Sequence, residues 1–340
     1  MVGMKEVAER AGVSVSTVSY TISGRRPISG DTRHRVLQAA RELGYFHGSG
    51  AMTPRGERTR FLAVSDPIHA ATNDGRYADF FLQVAKRARA YDYDIVLLTE
   101  SASDERVAKV VDAGMVDGVL LLDVRVDDER VRRAATSPVP YVAIGVPRDT
   151  SHLVCVDFDF ERACHDAIDR LAALGHSHCV FFGSNPAEYR RRSNFTMRIL
   201  GSLQHYAKRN GMTLKGYSLE GTDFTTVCKL VDQAFVDQPN ATAILTQSDS
   251  MFLGGLVSRL LHLGKRIPED VSVLSIGTVG DASGTIVPLD ELPMDPECTC
   301  GRAVDLMQRI LSGENVPVGT VEKLEIPYVD RGSVGPATKF

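Results

Sequence analysis

Apolar residues near the amino terminus recur at helical spacing and are interrupted by turn formers. Val7, Ala8 and Ala11 make one face of a first short helix. Gly12 is suited to the positive φ that reverses the chain. Ser14 is placed to cap the next helix through its hydroxyl. Val15 and Val18, spaced by three, are expected to face back at the first helix, with Ser16, Thr17, Ser19 and Tyr20 pointing outward. Ser29 opens a third helix whose stripe is Val36, Leu37, Ala40 and Leu43; Gly44 stops it, and Tyr45 is placed to pack beneath. Residues 46–60, FHGSGAMTPRGERTR, lose the periodicity and read as a flexible linker.

From Phe61 the pattern changes to short, continuous apolar runs alternating with amphipathic stretches. The runs at 61–64, 94–98, 118–122, 141–144, 179–182, 243–245 and 271–276 predict buried strands. The stretches at 79–90, 163–174, 193–210, 224–236 and 251–263 predict helices between them. Strand and helix in alternation give parallel, doubly wound sheets. The strands are too many for one such unit, so two in series are expected, breaking near 146–156. Ligands of such sheets lie beyond the carboxyl ends of the strands, which puts a site in the cleft between the units.

Charge divides the chain the same way. The 340 residues carry a net charge of -4, yet residues 1–60 hold ten Lys and Arg against five Asp and Glu, net +5, and the remainder is net -9. A basic head on an acidic body fits a polyanion-binding module joined to something else. Two hydroxyl-rich helices around a tight turn have the layout of a helix-turn-helix, whose second helix lies in the DNA major groove. Arg33 and Arg35, with Arg25 or Arg26 in the preceding loop, are then phosphate contacts.

The six cysteines have no zinc-type pairing, and no metal site or cofactor is expected. No export signal and no apolar run of about 18 residues is present, so a cytoplasmic protein without membrane contact is expected. Gly264-Lys265-Arg266 lacks the Gly and Ser/Thr of a phosphate-binding loop, and neither a dinucleotide fingerprint nor a nucleophile elbow occurs. Catalysis is not expected. The rival reading is a cytosolic small-molecule-binding protein with no DNA role.

The order Met4-Lys5-x-Val7-Ala8-x-x-Ala11-Gly12-Val13-Ser14-x-x-Thr17-Val18-Ser19 resembles the headpiece of the LacI/GalR family of bacterial transcription regulators. Thr32-Arg33-x-Arg35-Val36 and Ala39-Ala40-x-x-Leu43-Gly44-Tyr45 match its third helix. In the body, Val156-Asp157, Leu174-Gly175-His176, Ser248-Asp249, Ile267-Pro268-Glu269-Asp270-Val271-Ser272-Val273 and Arg331-Gly332-Ser333 also match. The resemblance implies a three-helix helix-turn-helix headpiece (1–46), a hinge (47–60), and an α/β periplasmic-binding-protein-like body (61–340) of two doubly wound parallel-sheet subdomains. The first subdomain is expected at 61–150 plus a late crossover segment at 279–296, and the second at 151–278 plus 297–332.

It further implies a homodimer that binds a near-palindromic double-stranded DNA operator, probing bases with Val15, Ser16 and Tyr20. An Arg is common in the family where Tyr20 stands, so bidentate guanine readout is absent there. The hinge departs from the family pattern through Gly48, Gly50, Pro54 and Gly56, which disfavour helix; Pro54 or Met52 is the candidate minor-groove wedge. The effector, a sugar or related metabolite, is expected at Asp66, Tyr77, Asp123, Arg191, Asn194, Arg198, Asp249 and Thr278, with Asn73 and Tyr189 as further loop candidates. Gly277-Thr278-Val279 stands where the family commonly has Gly-Phe-Asp, so a usual ligand acid is missing. The ligand is expected to alter operator affinity, in either direction.

Overall fold

A computed structural model describes residues 3–23, 28–43, 58–70, 72–100, 104–278 and 282–338. Three helices open it: α1 (Met4–Ala11), α2 (Val15–Ser23) and α3 (Gly30–Glu42). Gly12 has φ 66°, and the Val13 N–H returns to the Ala8 carbonyl, so the chain reverses at the glycine. Ser14 Oγ accepts from Thr17 N at 3.1 Å and Ser29 Oγ from Thr32 N at 3.4 Å, which caps α2 and α3. Val7, Ala8, Ala11, Val18, Val36 and Ala39 form the buried core.

Val15 does not join that core. It is 46% exposed, whereas Val18 is fully buried. Three residues turn a helix through about 300°, which leaves the two side chains about 60° apart on one face, but Val15 is the first residue of α2 and stays outside the packed contact. Arg25, Met52 and Pro54 lie outside the described residues, as does residue 45. The end of the expected linker is attached to the body: Asp117 accepts from Thr59 N and Oγ1, both at 2.9 Å, and from Arg60 N at 3.1 Å.

The body is two parallel sheets. Its strands are β1 (Phe61–Ser65), β2 (Asp94–Leu98), β3 (Gly118–Leu121), β4 (Tyr141–Ile144), β5 (Val154–Phe158), β6 (His178–Phe182), β7 (Thr213–Tyr217), β8 (Ala243–Thr246), β9 (Ser272–Thr278), β10 (Asp290–Pro293) and β11 (Val321–Leu324). The first sheet runs β2-β1-β3-β4-β5-β11 and the second β7-β6-β8-β9-β10. Among the helices are α4 (Asp74–Arg89), α5 (Asp104–Asp112), α6 (Arg130–Ala134), α7 (Phe160–Ala173), α8 (Pro186–Arg190), α9 (Asn194–Arg209), α10 (Phe224–Asp237), α11 (Ser250–His262) and α12 (Pro296–Leu311). Apolar clusters cover both faces of each sheet. No helix among the described residues is long and apolar enough to cross a membrane.

The sheets correct the expected division of the body. β5, placed by the sequence in the second subdomain, is a fully buried central strand of the first sheet, between β4 and β11. The described part of the expected crossover segment 279–296 does not join the first subdomain; β10 pairs with β9 in the second sheet. α12 and β11, expected in the second, belong to the first, where Cys300, Ala303, Val304 and Met307 pack with Leu62, Val84 and Val142. The chain therefore crosses between lobes after β5, after β10 and after β11. Ile326 and Val334 finish in the core of the second lobe. Four strands were not expected, β5, β7, β10 and β11; β7 and β11 are half exposed, so they lack the apolar run that marks a buried strand, and β5 and β10 carry acids within them.

Candidate effector cleft and DNA-reading helix

The loops after β1, β3, β6 and β8 meet where the carboxyl ends of the two sheets face each other. One cavity of about 80 Å³ is lined by Asp66, Tyr77, Asp123 and Asp157 of the first lobe and by Asn194, Phe195 and Met294 of the second. A larger one of about 260 Å³ is lined by Arg76, Glu188, Gln247, Ser248 and Asp249. Thr72, Asn73, Arg76 and Phe195 line both, so the two cavities adjoin.

Several contacts hold the lobes together around this cleft. Arg191 NH1 lies 2.8 Å from Asp123 Oδ1 and 2.9 Å from Glu188 Oε2, and NH2 lies 2.5 Å from Asp123 Oδ2. His69 Nε2 is 3.2 Å from Asp123 Oδ2 and 3.6 Å from Glu188 Oε1. Asn73 Nδ2 donates to Asp249 Oδ2 at 2.9 Å. Backbone bonds from Asn194 N to the Val124 carbonyl (3.0 Å) and from Val126 N to the Arg192 carbonyl (2.9 Å) form a short seam. Asn194 closes that seam, its Nδ2 donating to the Val146 carbonyl at 2.5 Å.

Asp123 has φ 49°, an uncommon conformation for a residue with a side chain. Arg130 over-determines it. This arginine is 1% exposed, pairs with Asp128 at 2.8 Å, and donates to the carbonyls of Ser65 and Leu122, each at 2.9 Å. It thus pins the carboxyl ends of β1 and β3, from which Asp66 and Asp123 project.

Three groups in the cleft have unmet hydrogen-bonding capacity. The Asp66 carboxylate is 5% exposed and takes part in no side-chain hydrogen bond among the described residues. Among the described residues neither amide atom of buried Gln247 has a hydrogen-bond partner, and Glu188 Oε1 has no contact closer than the His69 ring nitrogen at 3.6 Å. Arg76 adds a guanidinium with no ion pair among the described residues, stacked 5.0 Å over the Phe195 ring. Buried polar groups are almost always satisfied, and Asp66, Gln247 and Glu188 are exceptions to that rule in the cleft.

Burial, and then repulsion from Asp123, push the Asp66 carboxyl up to about 7; Arg130, Arg76 and Arg191 oppose this. Burial opposes ionisation of Asp123 too, but its hydrogen bonds with His69 and Arg191 hold it below the usual carboxylate range. The folded protein therefore binds the Asp66 proton more tightly than the unfolded chain does. Its contribution to stability is full below the unfolded pKa of about 3.9 and is lost as pH rises to about 7. Asp66→Asn is expected to flatten the fall of the urea midpoint between pH 4 and 7; an unchanged slope refutes the assignment.

Of the sequence candidates, Asp66, Tyr77, Asp123 and Asn194 line the smaller cavity and Asp249 the larger. Three line neither cavity. Arg191 is engaged by Asp123 and Glu188. Thr278 is buried and donates to Ser275 Oγ at 2.6 Å, because β9 continues through it and turns its side chain into the lobe. Arg198 is held by Asp157 at 2.6 Å and by Glu161 at 2.7 Å, beside the crossing after β5, and lines neither cavity. His69, Arg76, Glu188, Phe195 and Gln247 were missed; single polar residues in loops carry no periodic signal.

In the headpiece, Ser14, Val15 and Ser16 are exposed on the amino end of α2, and Thr17, Ser19 and Tyr20 are half-buried along it. The Ser14 hydroxyl is engaged by Thr17 and by Ser16 Oγ at 3.0 Å, while Arg33 is exposed on α3.

Residues 3–47 match the bacterial regulatory proteins of the lacI family, and residues 168–334 a periplasmic binding protein-like domain. The transcriptional regulator CelR of Thermobifida fusca is 30% identical over 353 residues, covering 97% of this chain and 98% of that protein. The chain belongs to the LacI family. Catabolite control protein A of Priestia megaterium is 25% identical over 274 residues, covering 79% of this chain and 80% of that one. A CelR–cellobiose complex superposes with a TM-score of 0.66 at 24% identity, over 98% of this chain and all (100%) of that one. A lac repressor dimer bound to operator and the anti-inducer ONPF gives 0.68 at 22% identity, covering 98% and 99%. LacI-family proteins are DNA-binding regulators, and this chain has both of their parts, the helix-turn-helix and the two-lobed body.

Proposed function

We propose that this LacI-family regulator is a sugar-responsive transcriptional repressor that binds a near-palindromic operator as a homodimer and is not an enzyme. One observation carries the reading. A chain that begins with an exposed DNA-reading helix also holds, between its lobes, a cleft lined by unsatisfied hydrogen-bonding groups, the Asp66 carboxylate and Arg76 guanidinium foremost. Carboxylates accept from hydroxyls, a guanidinium donates to them, and Tyr77, Phe80 and Phe195 supply apolar faces for a ring. A polyhydroxylated ligand meets those demands. The relative CelR, whose structural complex holds cellobiose, supports the sugar reading.

A ligand that binds one arrangement of the lobes better than another shifts their equilibrium, and with it the spacing of the two headpieces. The test is footprinting of the full chain on its own promoter, with and without sugars. A protected palindrome whose protection changes with a sugar is expected; no protected palindrome overturns the reading.

Within the headpiece, Tyr20→Ala is expected to relax sequence preference. Arg33→Ala is expected to weaken all DNA alike and to flatten the salt slope by about one unit, the loss of one phosphate contact. Binding assays on operator and scrambled duplexes across a salt series check both. Equal losses on all sequences for Tyr20→Ala refute base reading by that residue.

A further inference from the structure

We propose that the outer side of the second lobe carries a separate small-molecule site, a groove between β7 and the α8–α9 corner that takes an apolar carboxylate. All of its lining residues belong to the second lobe, and it shares none with either cavity of the cleft. It is independent of the sugar reading.

The groove follows from one position in an edge strand. β7 has only β6 beside it, and the two pair in parallel, with Leu214 opposite Cys179 and Gly216 opposite Phe181. Residues paired in this way point to the same face of a sheet, and that face repeats every second residue. On it, Leu214, Cys179 and Phe181 pack in one apolar cluster with Ile199, Leu200 and Leu203 of α9. The next apolar side chain along β7 is due at 216, and a glycine stands there. A Cβ at Gly216 would meet no atom within 4 Å. The strand edge is therefore undercut, and a groove of about 570 Å³ opens between it and the two helices. Pockets for small molecules span roughly 300–1,000 Å³.

The floor is apolar. Tyr189, Met197 and Leu200 are half-buried along it, above the buried Phe181. Tyr189, a loop candidate for the effector on sequence grounds, thus lines this groove and not the cleft. The rim is of one charge. Arg190 and Lys215 are exposed, and neither takes part in an ion pair or hydrogen bond among the described residues. No Asp or Glu lines the groove, in a body of net charge -9. The run Arg190-Arg191-Arg192 divides accordingly. Arg191 is engaged by Asp123 and Glu188, Arg192 NH1 lies 3.2 Å from Asp127 Oδ2, and Arg190 is left facing the groove without a carboxylate.

An apolar floor under unpaired cations complements an apolar body with one anionic end. A carboxylate presents two oxygens to the planar fork of Arg190, with Lys215 adding a point charge. A ring or chain behind it displaces water from Met197 and Leu200. A sugar fits poorly, because the hydroxyls of the groove are already engaged. Tyr189 Oη accepts from Ser184 N at 3.1 Å, and Tyr217 Oη donates to Asp237 Oδ2 at 3.0 Å.

Calorimetric titration of the full chain with 3-phenylpropionate and octanoate, and with 3-phenylpropionamide, acetate and inorganic phosphate, decides the matter. At least one of the two apolar acids is expected to bind at one site per chain. 3-Phenylpropionamide is expected to bind about ten-fold more weakly than its acid, the order of one charge-assisted hydrogen bond. Acetate and phosphate are expected not to bind. Gly216→Leu restores the missing side chain at a position free of backbone strain, and is expected to abolish binding with an unchanged or higher melting temperature. Arg190→Gln, at an exposed position, tests the charge without touching the packing, and is expected to bring acid and amide to similar affinity. Asp66→Asn, in the cleft, is expected to leave acid binding unchanged. Failure of both acids to bind overturns the site. So does an amide or phosphate that binds as tightly as the acids, binding that survives Gly216→Leu, or an acid preference that survives Arg190→Gln. Binding lost in Asp66→Asn places the acid in the cleft and overturns it as well.

Discussion

Arg130→Met lowers the stability of the first lobe by about 3–5 kcal/mol, the usual result of removing one partner from a buried ion pair. Arg130 is the largest of the fully buried side chains, and its partner Asp128 is 7% exposed. Asp128 Oδ1 accepts from Arg130 Nε at 2.9 Å and Oδ2 from NH2 at 2.8 Å. Methionine fills much of the volume but leaves Asp128 charged, buried and short of two donors. It also strips the Ser65 and Leu122 carbonyls of theirs, so the ends of β1 and β3 loosen and Asp66 and Asp123 lose their fixed bearing. Urea unfolding followed together with hydrogen exchange at β1 and β3 measures the loss. Arg130→Lys keeps the charge but cannot span three acceptors at once, and an intermediate value is expected. A loss below about 1 kcal/mol for the methionine variant removes Arg130 from this role.

Arg191→Met opens the cleft. The guanidinium joins Asp123 of the first lobe to Glu188 of the second, and both carboxylates are largely buried. Without it, two acids face each other across the lobe boundary with only His69 between them. Like charges in a poorly solvated site repel strongly, and separation of the lobes relieves this by admitting water. The seam at Val124 and Val126 limits the motion to an opening rather than a detachment. The radius of gyration of the unliganded protein is expected to rise in X-ray scattering. Sugar affinity is expected to fall about 100-fold, near 3 kcal/mol. An unchanged radius together with unchanged affinity refutes the latch.

Much of the fold was legible in the chain. The reversal at Gly12 and the cap at Ser14 are local events, each decided by one residue's own chemistry. Most central strands show as short apolar runs because a strand covered on both faces has few polar positions to alternate; β5, which contains Asp157, did not. The candidate cleft was legible only in outline. Asp66, Asp123 and Asp249 could be picked out because acids that directly follow buried strands stand at sheet ends. Gln247 follows β8 in the same way, but a single amide has no periodicity and matches no motif, so nothing drew attention to it. Arg198, inside α9, and Thr278, the last residue of β9, were also picked out and line neither cavity.

The sequence by itself determined the types of element, the basic head and acidic body, and the family, since these depend on neighbouring residues and on composition. The tertiary structure decided which lobe each late segment joins. Parallel strands pair with partners far along the chain, as Val321 does with Cys155, and nothing local marks such a partner. It also decided which polar side chains turn into the cleft. That direction is set by loop backbone, such as φ 49° at Asp123, and by buried anchors such as Arg130. A residue is left free for a ligand only when every neighbour has found its partner elsewhere, and that is a property of the assembled packing.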